Sequence, residues 1–200
     1  MSEKPFSAAA ERNRGPILEV LKAWLPPSGR LLEIGAGTGQ HAQQHAKALP
    51  QWQWLPSERA AEMPVLMAGL AGSAIPNLEA PIVLDVCRDW PERRFDAIYS
   101  ANTAHIMHWP AVKALFSGAS GVLEPGGQFF LYGPFMRAGQ HHATGNVDFD
   151  AALKSRDPGM GVRDLDDLDR LAANNHLERI AEILMPANNH VLIFGRTEAE

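Results

Sequence analysis

The chain is 200 residues long, with 46% hydrophobic and 20% charged residues and a formal net charge of −5. This balance predicts one folded domain with its own core and excludes the disordered, collagen-like and coiled-coil classes. The acidic charge disfavours bulk nucleic acid as a partner, and the lone cysteine, Cys87, excludes an internal disulfide and points to a reducing, cytoplasmic setting.

Residues 1–10 lack the apolar stretch of a secretory signal, and no apolar run is long enough to span a bilayer, so no membrane role is expected. Residues 8–24 predict a helix with Ile17, Leu18, Leu21 and Trp24 on one face, stopped by Pro26-Pro27-Ser28-Gly29. Residues 30–34 read as a short buried strand that runs into Gly35-Ala36-Gly37-Thr38-Gly39. A helix over 40–49 ends at Pro50, and Trp52-Gln53-Trp54-Leu55 is a second strand closed by Pro56. Residues 59–71 suit a helix with Pro64 near its first turn. Strands follow at 81–85 and 95–100, then a helix over 110–122. The turn Glu124-Pro125-Gly126-Gly127 precedes a fifth strand over 128–132.

Residues 133–176 carry no strand signal and one helix, from about residue 164 to 174. Apolar runs at 180–185 and 190–194 are separated only by Pro186-Ala187-Asn188-Asn189. So short a connection demands an antiparallel hairpin, whereas helical crossovers make the first five strands parallel. The whole is expected to be a single α/β domain.

The loop Glu33-Ile34-Gly35-Ala36-Gly37-Thr38-Gly39 sits between a strand and a helix, where an open sheet usually holds a nucleotide. Its spacing is G-x-G-x-G. A dinucleotide fingerprint would need Gly or Ala where Gln40 stands, which counts against a nicotinamide oxidoreductase. Glu33 is awkward beside a pyrophosphate and suits an ammonium group. Packing a helix close to a strand is the plainer alternative for the glycines. Glu58 follows the loop by about 20 residues, the usual place of a ribose-binding carboxylate, with a solvated loop glutamate as the alternative.

This loop resembles the first motif of class I S-adenosylmethionine-dependent methyltransferases. The resemblance implies a Rossmann-like seven-stranded sheet with the last strand antiparallel, in three α/β/α layers. It implies S-adenosylmethionine as cofactor, its methionine part held by Glu33, Gly35, Ala36, Gly37 and Gly39. Asp85 would accept from the adenine amino group, with Val86 against the ring, unless Asp85 merely caps the next turn. Asn102 and His105, after the fourth strand, would lie nearest the transferred methyl. His105 is the candidate base, since histidine titrates near neutrality, with a hydrogen bond to a carbonyl at the edge of the site as the alternative.

Glu11-Arg12-Asn13-Arg14, Pro56-Ser57-Glu58, Ser100-Ala101-Asn102 with His105-Ile106, Tyr132-Gly133-Pro134-Phe135 and Gly161-Val162-Arg163-Asp164-Leu165 carry a closer resemblance. They are similar to the methyltransferase-like family catalogued as domain of unknown function number 938, over about residues 8–196. Glu58 departs from the aspartate more usual there. Arg12 and Asn13 lie on a helix that in such folds can cross the cofactor mouth, where Arg12 would fork onto a carboxylate, with a solvated amphipathic face as the alternative.

The expected activity is methyl transfer to a small molecule or a protein side chain. Residues 133–176 would form the acceptor-side insertion, with Tyr132, Asn146 and Arg163 as its polar candidates. The alternative is a non-catalytic binder of the cofactor or its demethylated product. His41 and His45 share a helix face but show no metal pattern, and a surface or capping role is expected. His141 and His142 would touch substrate or solvent. Asp164, Asp166, Asp167 and Asp169 read as a helix start, because Leu165, Leu168 and Leu171 supply an apolar face. Cys87 is expected to be a small buried residue.

Overall fold

The computed structural model describes residues 4–88 and 90–197. Ser7 opens the first helix, α1 (Ala8–Trp24), its hydroxyl accepting from the Ala10 N–H at 3.3 Å. Then come β1 (Gly29–Ile34), α2 (Gln40–Ala48), β2 (Trp52–Glu58), α3 (Met63–Leu70) and β3 (Ile82–Val83). β4 (Phe95–Ala101), α4 (Trp109–Val122) and β5 (Leu123–Gly133) complete the parallel part. The remaining elements are β6 (Phe135–Met136), α5 (Thr144–Arg156), β7 (Arg163–Asp164), α6 (Leu165–Ala173), β8 (Leu177–Met185) and β9 (Asn189–Arg196).

Seven strands form one sheet in the order β3-β2-β1-β4-β5-β9-β8. β9 runs antiparallel to both β5 and β8, and the other pairs are parallel. Strand alternation divides the core. Leu32, Ile98, Phe129 and Phe194 pack under Phe116 of α4 and Leu168 of α6. Leu31, Tyr99, Phe130 and Ile193 pack under Ile17 and Leu21 of α1 and Ala42 and Ala46 of α2. The expected three-layer α/β/α architecture follows from these two faces.

The chain moves outward from β1 to β3 and then crosses back to β4 on the other side of β1. A crevice therefore opens at the carboxyl ends of β1 and β4, where the connections part in opposite directions.

Several expectations need correction. β2 passes through Pro56, which pairs with Glu33 in register. Trp54 and Glu58 turn their backbone groups toward the β3 side, and Pro56 shares their parity. Its missing N–H thus falls on the side where β3 pairs only Ser57 and Glu58. β3 is two residues long, because Asp85 turns the chain by accepting the Cys87 N–H at 3.0 Å. The Glu124–Gly127 turn is absorbed into β5 as a register shift opposite Phe95 and Ala97.

Residues 133–176 hold more order than expected: α5, and the small parallel pair β6–β7. Asp164 is the N-cap of α6, accepting the Asp166 N–H at 2.9 Å, so the acidic run is a helix start. Among the described residues, no helix is long and apolar enough to cross a membrane.

Candidate functional site

A cavity of about 710 Å³ occupies the crevice. Gly35 and Gly37 line it from the loop after β1, Glu58 from the end of β2, Asp85 and Val86 from the turn after β3, and Asn102 from the end of β4. These six expected residues are thus brought to one wall.

Gly37 has φ +56, and a Cβ built there meets nothing within 4 Å. The backbone takes a left-handed conformation beside open space, where any side chain would be strained and would project into the cradle. The Gly37 N–H donates to Glu58 Oε2 at 2.9 Å, and Glu58 Oε1 accepts from the Arg59 N–H at 2.9 Å. Each carboxylate oxygen keeps acceptor capacity for a second donor. Asp85 both caps its own turn and lines the cavity, so the two readings of it are compatible. Its Oδ2 lies 3.5 Å from Arg88.

Asn102 is a non-glycine residue at φ 59. Its N–H donates to the Tyr132 carbonyl at 2.9 Å, which holds the β4 end against β5. Backbone strain of this kind gathers where a side chain must be aimed, and asparagine tolerates it best.

Other expected residues lie elsewhere. Glu33 is 2% exposed, off the cavity wall, on the Leu31 face of β1. It accepts from the Trp54 indole N–H at 2.6 Å. Burial pushes its carboxyl up to about 8, with Glu58 adding to the rise and the Trp54 bond opposing it. The carboxyl is therefore largely protonated near neutrality.

Ala36 is buried, and its N–H is taken by the Ser57 carbonyl at 3.0 Å. Gly39 is a packing glycine, as the plainer reading had it: a Cβ there would sit 2.7 Å from Leu70 Cδ2. Arg12 is exposed, while Asn13 is buried against His41.

His105 is 7% exposed, edge-on to Phe149 at 5.1 Å, and lies off the cavity wall. Burial, then the Arg163 charge, lowers its imidazole to about 4. Tyr132 faces Asn13, with burial raising its phenol. Asn146 is buried and donates to the Asn188 carbonyl at 3.2 Å. Arg163 spends its donors on backbone carbonyls.

His41 and His45 are buried between α1 and α2, against the expected surface role. Their shared face meets α1, Tyr99 and Trp54 rather than solvent. His141 lies 3.4 Å from Asp150, and the His142 ring sits 6.0 Å from that of His190. Cys87 is exposed and lines the cavity, because the turn capped by Asp85 carries it outward.

Cavity residues not anticipated include Ile106 and His108 from the loop after β4, and Arg156, Asp157 and Met160 from the end of α5 onward. Asp157-Pro158-Gly159 is a turn signature that marks where the last of these leave α5.

With that geometry in view, the sequence profile of the family described as "Protein of unknown function (DUF938)" matches residues 4–196. The chain belongs to this family. Solved structures similar to this DUF938 protein share its fold at low sequence identity. An O-methyltransferase family protein from Burkholderia thailandensis has a TM-score of 0.80 at 14% identity, covering 96% of this chain and 58% of that one. An O-methyltransferase family 2 protein from Planctomyces limnophilus, solved with apigenin, scores 0.78 at 16% identity, covering 94% and 60%. CalO1, a methyltransferase in calicheamicin biosynthesis solved in its SAH-bound form, scores 0.74 at 14% identity, covering 96% and 55%. This DUF938 chain spans a little over half the length of these proteins, and the likeness establishes a methyltransferase-like, Rossmann-like α/β fold.

Proposed function

We propose that the protein is an S-adenosylmethionine-dependent methyltransferase acting on a small-molecule or protein side-chain acceptor. The observation that carries this reading is the convergence of Gly37, Glu58, Asp85 and Asn102 on one cavity at the crevice of the sheet. The residues fit the cofactor: an open glycine cradle, a carboxylate with spare acceptor capacity, and an aspartate beside an apolar valine.

When bound, the cofactor supplies an electrophilic methyl group on a positively charged sulfur. Glu58 would hold the ribose hydroxyls, and Asp85 and Val86 the adenine. Gly35 and Gly37 would let the amino-acid end approach the backbone. Asn102 would aim its side chain at the reacting face. Positioning and exclusion of water supply most of the rate for such a displacement, so a base is optional. This suits a site whose nearest predicted base, His105, is buried and held neutral. The same burial of His105, with Tyr132, Asn146 and Arg163 turned to internal contacts, favours a second reading: a non-catalytic binder of the same cofactor.

Calorimetry with S-adenosylhomocysteine tests the cofactor reading. Wild-type protein is expected to bind, and Gly37→Val to lose binding, because the valine both fills the cradle and strains the loop. Equal affinity in the two proteins would remove the glycine loop from the site. Methyl transfer to a metabolite or protein pool would then separate enzyme from binder.

A further inference from the structure

Arg163 begins β7 and stands behind the cavity wall rather than on it. Its Nε donates to the Ala104 carbonyl at 3.0 Å, and its Nη2 donates to the carbonyls of Met107 and, at 3.0 Å, Gly159. The guanidinium lies over the Trp109 ring at 5.9 Å. Ala104 and Met107 belong to the loop after β4, and Gly159 belongs to the segment after α5. One side chain thus joins two pieces of chain remote in sequence.

Other contacts run along the same seam. The Gly161 N–H donates to the His105 carbonyl at 2.9 Å, and His108 Nε2 lies 2.8 Å from Asp157 Oδ2. At Gly159 a Cβ would come within 2.5 Å of the His108 ring, so the two segments are packed as closely as glycine allows. From this seam Ile106, His108, Asp157 and Met160 project into the cavity.

We infer that Arg163 is a positioning residue: its guanidinium clasps the loop after β4 to the segment after α5 and so fixes one wall of the cavity. That the cavity takes the cofactor rests on the function proposed above, whereas the clasp rests on the contacts just described. A guanidinium presents five N–H donors in a rigid plane, and three carbonyls converge on it from two segments. A lysine offers one nitrogen at the end of a flexible stem. It keeps the charge and satisfies part of this arrangement, but it does not hold both segments at once.

Arg163→Lys and Arg163→Met test the clasp by hydrogen exchange, thermal denaturation and calorimetry with S-adenosylhomocysteine. In Arg163→Lys the thermal midpoint is expected to stay within roughly 2–4 °C of wild type, a small shift for a domain of this length. Exchange should quicken in residues 103–109 and 156–161 together, with the strands unchanged, and affinity should fall about tenfold. Arg163→Met should show the same pattern more strongly, and if it fails to fold, the lysine variant decides alone. Wild-type exchange and affinity in Arg163→Lys would overturn the inference. So would exchange that rises uniformly across the sheet, which marks general destabilisation. If wild-type protein does not bind S-adenosylhomocysteine, the cofactor reading falls, and the exchange pattern of the two segments still decides the clasp.

Discussion

Two carboxylates near the glycine loop occupy opposite situations at the scale of single residues. Glu58 keeps its oxygens at the cavity and braces the loop through the Gly37 N–H. Glu58→Ala is expected to weaken S-adenosylhomocysteine binding by about 1–3 kcal/mol, the effect of removing hydrogen bonds to a charged group. Wild-type affinity in that variant would leave Glu58 with loop bracing alone. Glu33 is sealed beneath Trp54, with its carboxyl raised from 4.5 to about 8. Its folded form keeps a proton that the unfolded chain has lost above 4.5, so its contribution to stability is full below that pH and is lost as pH rises through 8. Urea denaturation between pH 6.5 and 8.5 should show wild type weakening with pH while Glu33→Gln does not. Parallel slopes in the two proteins would refute the assignment. That an acid precedes the glycines is legible in sequence. Which face of β1 it takes is not, because alternation gives the two faces without saying which one meets the cavity.

At the scale of elements, the seam between α1 and α2 is unusually polar for an interior. His41 donates from Nε2 to Asn13 Oδ1 at 2.8 Å and accepts from the Tyr99 hydroxyl at Nδ1, at 3.0 Å. His45 donates from Nε2 to the Arg14 carbonyl at 3.0 Å, and its buried Nδ1 has no partner among the described residues. Burial lowers His41 to about 4 and His45 to about 3, with the His41 charge adding to the depression of His45 and the backbone bonds opposing both. The unfolded chain takes up these protons below its ordinary value of 6.5 and the folded chain resists them, so stability falls as pH drops from 6.5 through 4. Hydrogen exchange at pH 4.5 should show the amides of α1 opening before those of β4 and β5. Simultaneous loss of protection in helix and strands would refute a seam that yields first. The spacing of His41 and His45 shows a shared face. Their burial depends on α1, which sequence spacing does not place against α2.

For the molecule as a whole, the order of strands and helices was legible because apolar runs alternate with Gly and Pro breaks. The seven-stranded sheet and its antiparallel member follow from connection lengths. α5 escaped because its buried residues are Asn146, Asp150 and Leu153, so two of the three inward positions carry no apolar signal. Asp150 is nonetheless structural, accepting from the Val162 N–H at 2.7 Å and from Lys154 at 2.6 Å. The glycine loop was legible as backbone geometry, since Gly35, Gly37 and Gly39 all take a positive φ that other residues rarely adopt. The internal contacts of Tyr132, Asn146 and Arg163 were not, because a polar side chain near a site serves packing as readily as binding, and sequence does not say what it meets.

The place of β9 between β5 and β8 has a consequence for synthesis on the ribosome. In the seven-stranded sheet every strand after β1 can pair with a neighbour already made, apart from β8, which has none until β9 emerges. Until then the flank of β5 along residues 128–133 stays bare, offering Phe130 and its neighbours to any passing strand. A nascent chain halted before Asn189 therefore carries an open, apolar sheet margin. Quality control would meet it as a sticky intermediate, and the last strand acts as the bolt that closes it.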